Sequence, residues 1–535
     1  MMRKFFLSTM VLVLLALPTC QVQKLRLKQQ YRQLNELVHR EAQKDSIPFI
    51  KCHLQNGGVV VFQKNWHLDT AAAEISGQGR YFDFNRERLK EGFLRVGMDS
   101  VALYEANRLE PGLESRRLAG LMILSSLNIA GTIFCAHNPK ACFGSCPTFY
   151  TGPGKSVHEA AAEGFSRAIF PSLAYADVDD LDTVTTGKSF SLYMKNEALE
   201  THVVRDAALL ALPCKKEEQI YQSPQDDFYA GSRPQAPSKA LSAEEGSILQ
   251  AIRAVDDKAY FSPADGHNLY SPEELLLELP LPAESGDSLG LVLDFRQSLM
   301  TTYFIYSALS YMGPEASDYL SQREIANQKQ ALGRLAILKK LGGIEVSVYK
   351  AREESWKKLG NFYETGPIAI NRQVLPFAQE DQKGPIRLKL RLNRGLWRIN
   401  RVGLTRLHRV VKPEVVKPRA VRRAGVKAAK ELRLLQDSTE QLISWPGQTR
   451  RLEYQLPTEA PAYALFLRSE GYYLEWMREQ WLEDQDLLKL RQMMKNPEAY
   501  LREEAQPYKR YEEHMEEVFW SSQVKPNALS HYENP

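Results

Sequence analysis

At 535 residues, with 44% hydrophobic and 25% charged residues, the chain is too long for one ordinary core and too apolar for wholesale disorder. At about 100–200 residues per domain, three or four units are expected. The formal net charge of +4 excludes no partner class by itself, so the distribution of charge carries more information than its sum.

Residues 1–20 read as a secretory signal, with Arg3 and Lys4 ahead of the apolar run Phe5 to Leu17, which is too short to span as a mature helix. The run closes on Leu17-Pro18-Thr19-Cys20, which resembles the lipobox of bacterial lipoproteins, where the cysteine is lipidated and becomes the first mature residue. The alternative is an ordinary cleaved signal with a coincidental cysteine. A lipid on Cys20 would hold the body of the protein against a membrane leaflet. In 21–46, Leu25, Leu27, Tyr31, Leu34 and Leu37 have broadly helical spacing and predict a tether helix. Its Lys24, Arg26, Lys28 and Arg32 would either lie on anionic headgroups, at about 1 kcal/mol each, or form a solvated spacer. No acidic export signal follows Cys20, which favours an outer-membrane lipoprotein facing the periplasm over one facing the surface. Beyond Cys20 there are five cysteines, an odd count that leaves at least one thiol in an oxidising compartment.

A small β module is expected over 47–110. Phe49 to Leu54 and Val59 to Phe62 flank Asn56-Gly57, a pair that favours the positive φ angles of a tight hairpin. An apolar helix follows over 111–137, built on the uncharged run Leu118 to Ala136. Its length suits a membrane span, but Gly120, Ser125, Ser126 and Asn128 dilute it, so a buried or membrane-dipping helix is the expectation and a true span the alternative. Residues 138–290 read as a β-rich module with a polar, Pro-rich linker from Ser223 to Ser242. A helical segment is expected over 291–345, with Gly342-Gly343 as its C-cap, and a β module over 346–412. Residues 413–440 read as a basic linker and 441–535 as mostly helical. The expected fold class is therefore α+β: several β-rich, sandwich-like modules, an apolar central helix and a helical C-terminal region.

Between Lys383 and Arg433 there are seventeen Lys or Arg against only Glu414 and Glu431. That excess would attract a polyanion or an anionic membrane surface, and Lys412, Lys417, Arg419, Arg422 and Arg423 are the candidate binding surface. A solvated strand face plus linker is the alternative.

Tests for chemistry give little. Gly154-Lys155-Ser156 lacks the first glycine of a P-loop, because Phe149 stands there. Asp177, Asp179, Asp180 and Asp182 could offer oxygens to Ca²⁺, but Asp182 occupies the position where an EF-hand loop needs glycine. Cys135, Cys142 and Cys146 lack the paired spacing of a zinc site, so a disulfide among them is expected, with inert thiols or metal as alternatives. Glu200 and His202 share a strand face while Glu197 points away, which assembles no local acid/base pair. No cofactor or metal site and no catalytic residue is assigned.

Taken together, ACFGSCPTFY, AEGFSRAIFPSLAYADVDDL, MKNEALETHVVRDAALLALP, LDFRQSLMTTYFIYSALSYMG, RLKLRLNRGLWRINRVGL and GYYLEWMREQWL resemble blocks of a family of long bacterial cell-envelope proteins of Bacteroidota type. The blocks stand in the family's order, from about Ile47 to Trp520. The resemblance implies an envelope location and a β scaffold around the CPTFY block, and carries over no catalytic residue. The expected function is a lipid-anchored envelope protein acting in binding or assembly. Its partners would be the membrane, through the lipid, and an envelope protein or polyanionic glycan, without nucleic acid. The competing reading is a secreted hydrolase or carbohydrate-binding protein with a dispersed site. A pocket with convergent carboxylates would favour the competitor, and a flat basic or aromatic face would favour assembly.

Overall fold

The computed structural model describes residues 21–28, 50–54, 58–62, 66–69, 71–82, 88–111, 146–169, 173–198, 200–256, 258–283, 288–313, 316, 336–363, 366–379, 384–437, 439–475, 484–521 and 523–524. Cys20, Cys135, Cys142 and the apolar run 118–136 lie outside them. The fold is α+β and rich in strands, with five sheets and, among the described residues, six α-helices.

The N-terminal module is a seven-stranded sheet. Ile50–Leu54 pairs antiparallel with Val59–Phe62, as the hairpin signal predicts. Ile50, Cys52, Val60, Phe62, Ile75, Leu94 and Val96 form one buried cluster on the sheet. The expected tether helix is not formed over its first part: Gln21–Lys28 is a strand, antiparallel to Val101–Pro111. Leu25 and Leu27 alternate with Arg26 and Lys28, a period of two that satisfies a sheet edge as well as the wider spacing satisfies a helix.

The other four sheets form two β-sandwiches, and these are two copies of one topology. Thr148–Tyr150, Ser189–Lys195, Thr449–Gln455, Ala420–Arg423 and Val426–Lys427 are neighbours in one sheet of the first sandwich. Ile344–Lys350, Ile386–Asn393, Pro272–Leu279, Lys239–Ser242 and Gly246–Ser247 are neighbours in the same order in the second. In the partner sheets, Tyr175–Thr185, Ala462–Glu475, Glu200–Cys214 and Glu414–Val416 correspond to Asn371–Ala378, Ser288–Gln297, Trp397–Val411 and Phe228–Gly231. Even the small additions match, since Leu442–Ser444 and Tyr260–Phe261 each pair with the start of the long strand.

Two sequence details accompany the match. Asn196 and Asn393 each stand four residues before a 15-residue strand, in Asn-Glu-Ala-Leu-Glu and Asn-Arg-Gly-Leu-Trp. Each is buried and donates both amide hydrogens to backbone carbonyls: Asn196 to Glu200 and Ser444, Asn393 to Leu269 and Arg394. A Leu-Pro pair, Leu456-Pro457 or Leu279-Pro280, also stands where the preceding strand turns into the next.

The chain does not traverse the copies one after the other. The first sandwich starts at Thr148–Tyr150, runs through Glu200–Cys214, and is completed by 414–475 only after the whole second sandwich has been laid down. Lys412-Pro413 alone separates the last strand of the second copy from Glu414–Val416, which pairs with Glu200–Cys214 of the first. Thus the expected modules 138–290 and 346–412 each mix pieces of both sandwiches or hold part of one. The Ser223–Ser242 linker contributes Phe228–Gly231 and Lys239–Ser242, and the basic linker 413–440 contributes three short strands and the helix Ala429–Gln436. The C-terminal helical region begins later than expected, after the strand Ala462–Glu475.

Alternation explains the outer sheets. Pro272–Leu279 points Glu273, Leu275, Leu277 and Leu279 inward and Glu274, Leu276 and Glu278 outward or to the rim. Glu200–Cys214 is buried nearly throughout, because both faces of its sheet are covered. Leu209, Leu465 and Leu467 face its own sandwich, while Leu210, Leu212 and Phe466 pack with Ile220, Phe228 and Val411 at the junction of the copies. The helix Met300–Met312 and the C-terminal helices Leu487–Lys495, Pro497–Glu503 and Ala505–Ser521 cover the second sandwich, where Met300, Tyr303, Phe304, Tyr500 and Tyr508 join its core. Gly342 closes Ala336–Leu341 with φ +70°, as the C-cap reading predicts. Among the described residues no helix is long and apolar enough to cross a membrane.

Candidate binding site between the two sandwiches

Tyr175–Thr185 and Asn371–Ala378 hold the same place in the two copies, and they meet across the junction. Side chains two apart on a strand share a face, which sets Asp177 beside Asp179 on one strand and Asn371 beside Gln373 on the other. With Arg167, Tyr175, Gln222, Asp226 and Tyr363 they line a polar cavity of about 160 Å³. That is room for several waters or one small polar group.

Several oxygens there are already used. Tyr175 Oη donates to Asp177 Oδ2 at 2.8 Å, the Val178 amide donates to Asp177 Oδ1 at 3.1 Å, and Gln222 Nε2 donates to Asp226 Oδ1 at 2.6 Å. The Arg167 guanidinium lies 4.6 Å from the centre of the Tyr175 ring. Asp179 Oδ2 and Gln373 Oε1 are buried without a hydrogen-bond donor, and Asp179 is only 3% exposed. Such an acceptor, removed from water and left unmatched, costs about 1–3 kcal/mol. Burial holds the Asp177 carboxyl above its ordinary range, against the opposing pull of Tyr175 and Arg167. Burial raises Asp179 much further, helped by the negative charges of Asp177 and Glu163 and opposed by hydrogen bonds its carboxyl accepts from the Glu163 amide and the Asn371 side chain.

The junction beside the cavity is tied by two buried groups. Arg372 turns to the other strand face and reaches Asp294 at 2.8 Å, Asp182 at 2.7 Å and Asp180 at 3.5 Å. Burial alone would lower its pKa, but the three carboxylates raise it above the usual guanidinium range. Glu163 of the first copy accepts from the Ile368 amide of the second at 2.7 Å, and Gly366, at φ +89°, makes room for that carboxylate, which a Cβ would meet at 2.6 Å.

The sequence singled out Asp177, Asp179, Asp180 and Asp182 as one acidic cluster. The fold divides it, because the strand register shifts between Asp180 and Thr183 and Asp182 adopts φ +45°. Two carboxyls face the cavity and two face Arg372. Among the described residues, no group of three or more His, Cys, Asp or Glu side chains is placed to hold a metal ion. Cys146 is buried at the junction with its Sγ donating to Glu163 Oε1 at 3.4 Å; Cys135 and Cys142 lie outside the described residues. Glu200 and His202 do share a face, fully buried, and their Nε2 and Oε2 stand 3.2 Å apart, so a local carboxylate–imidazole pair forms where the sequence reading expected none. Glu197 instead accepts from Thr148 Oγ1 at 2.7 Å and Tyr150 Oη at 2.5 Å, within the CPTFY block.

Six of the seventeen basic residues of the stretch meet acids brought from elsewhere in the chain. Lys389 meets Glu274, Arg394 meets Glu244, Arg398 meets Glu516, Arg401 meets Asp294, Arg409 meets Glu218 and Arg422 meets Glu453. Of the candidate surface, Lys417 donates to the Gln436 carbonyl and Arg419 to Gln455 Oε1, each at 2.8 Å, while Lys412 is exposed and Arg423 is half-buried. The cavity lining is not legible in the sequence because its residues come from 167–179, 222–226 and 363–373, and no local spacing links them.

No family model matches this chain. No curated protein matches it. Among solved structures, an allantoicase aligns at 8% identity and a TM-score of 0.17, covering 41% of this chain and 77% of that one. A GH31 α-xylosidase of Xanthomonas citri aligns at 8% identity and a TM-score of 0.13, covering 80% and 37%. A secreted serine protease of Vibrio cholerae aligns at 8% and 0.11, covering 70% and 76%. Scores this low carry no argument about fold or chemistry.

Proposed function

We propose that this protein is a lipid-anchored cell-envelope protein of the binding type, and that the junction cavity takes a hydroxyl-rich group such as the end of a saccharide chain. The carrying observation is the pair of acceptor oxygens without donors, Asp179 Oδ2 and Gln373 Oε1, in a cavity of otherwise polar lining. Hydroxyls supply the donors these atoms need, and the half-exposed Tyr363 offers an aromatic rim on which a sugar ring can rest. The convergent carboxylates favour the carbohydrate-binding alternative over assembly on a basic face. They also favour a neutral or cationic ligand over a polyanion. The anchor at Cys20 and the envelope location rest on residues 1–20 and on the sequence resemblance.

Thermal melting of the full chain against a panel of mono- and oligosaccharides tests the site: at least one should raise the melting temperature, and a panel without effect overturns the reading. Cys20→Ala should move the protein from the membrane to the soluble fraction, and an unchanged membrane fraction overturns the anchor.

Hydrolysis is the second reading, favoured by one observation. Asp177 and Asp179 stand on one strand face with both carboxyls held above their ordinary range by burial, the direction in which a general acid is tuned. Nitrophenyl glycosides should then be cleaved by the native chain and not by Asp179→Asn; no turnover of any of them by the native chain removes this reading.

A further inference from the structure

We infer that the group seated in the junction cavity is a protonated amine, as carried by an amino sugar, and not a neutral hydroxyl alone. This narrows, and rests on, the reading of the cavity as a saccharide site. Three carboxyls, Asp177, Asp179 and Asp226, line the cavity against one guanidinium, Arg167, which is stacked on Tyr175. An ammonium brings three donors and no acceptor, whereas a hydroxyl brings one donor and lone pairs that also seek partners. Gln373 Oε1, and Asp179 Oδ2 in the ionised carboxylate that an ammonium stabilises, ask for donors only. A positive charge also relieves the carboxyls that burial disfavours, because an opposite charge nearby stabilises their ionised form. A bare metal ion is a poorer occupant, since among the described residues no ligating group of three such side chains is assembled. The half-exposed Tyr363 at the rim gives an apolar surface for the ring that carries the amine.

Calorimetric titration of the full chain at pH 7 with D-glucosamine, D-glucose and N-acetyl-D-glucosamine tests the inference. Glucosamine should bind at least about tenfold more tightly than the two neutral sugars, a difference of about 1.4 kcal/mol. The advantage should vanish in Asp179→Asn. Asp226→Asn serves as a second variant that keeps the fold, because Asp226 is exposed and its φ of +63° is one that asparagine tolerates; it should shrink the advantage. Equal or weaker binding of glucosamine, with the neutral sugars still bound, overturns the amine and leaves the saccharide site standing. Absence of binding by all three sugars overturns both.

Discussion

The strand beginning at Glu200 and the strand beginning at Trp397 occupy the same place in the two sandwiches and have the same length, yet they open differently. The first opens with Glu200, Thr201 and His202, all fully buried; the second packs Trp397 5.7 Å from Phe295 and buries Ile399 beside it. The strands paired with them also differ in the helices they lead to. Ser288–Gln297 runs directly into Met300–Met312, which covers its own sandwich, whereas Ala462–Glu475 of the first copy precedes helices that pack on the second. Tyr303 donates to Glu504, and Arg398 meets Glu516 at 2.6 Å, so the last segment of the chain completes the core of the other copy. One topology therefore tolerates polar or aromatic packing at matched positions. What binds the copies together is the exchange of segments, in addition to the contact at the junction.

The largest test of this comparison sits at the register shifts that both long strands carry. Near the shift, Asp294 is buried between Arg372 and Arg401, at 2.8 and 2.6 Å, while Asp206 meets the more exposed Arg468 at 2.6 Å. Asp294→Asn should cost about 3 kcal/mol in urea unfolding, because it leaves Arg401 without its carboxylate and takes from Arg372 one of its three. Asp206→Asn should cost about 1 kcal/mol or less. Equal costs would mean that the two shifts are not differently loaded.

Asn196 and Asn393 test the likeness of the copies. The Ala variant takes a side-chain donor from two buried carbonyls at Asn196 and from one buried and one partly buried carbonyl at Asn393, so each should lose about 2–4 kcal/mol, and by similar amounts. If only one variant is destabilised, the two hairpins are alike in sequence alone.

A smaller effect appears in the pH dependence, and it belongs to the first copy. Burial pushes Asp180 up to about 7 from an ordinary 3.8, although the nearby Arg372 pulls it down. Between those values the folded state keeps a proton that the unfolded chain has lost, so stability falls as pH rises through this window and levels off above it. The slope for one such group is at most about 1.4 kcal/mol per pH unit. Asp180→Asn should flatten it in melts between pH 4 and 7, and an unaltered slope would assign it to other groups.

The smallest effect is expected on the basic edge. Arg422→Ala removes a partly exposed pair with Glu453 and should cost about 0–1 kcal/mol. A larger loss would make that pair part of the core of the first sandwich.

Much of the fold is legible along the chain. The β module expected over 346–412 holds the alternating strand Ile386–Asn393, Asn56-Gly57 signals the hairpin, and Gly342 ends its helix. Those features are local, fixed by side chains within a few residues of one another. Composition misleads at the two linkers, because Ser223–Ser242 and 413–440 are polar and Pro-rich or basic, while their short strands are stabilised by distant partners. Composition reports solubility, and strand pairing is decided elsewhere.

The sequence by itself determined strand period, turn positions and the signal-like N-terminus, because these depend on nearest neighbours. Only the tertiary structure decided which strands are neighbours, and hence that the chain builds one topology twice. It alone set Lys389, Arg394, Arg398, Arg401, Arg409 and Arg422 against acids from other segments. It also gathered Arg167, Asp177, Asp179, Gln222 and Gln373 around one cavity. A strand's own pattern selects the face it buries, but its hydrogen-bonding edge is the same for every partner. The choice of partner is made by packing across the whole chain.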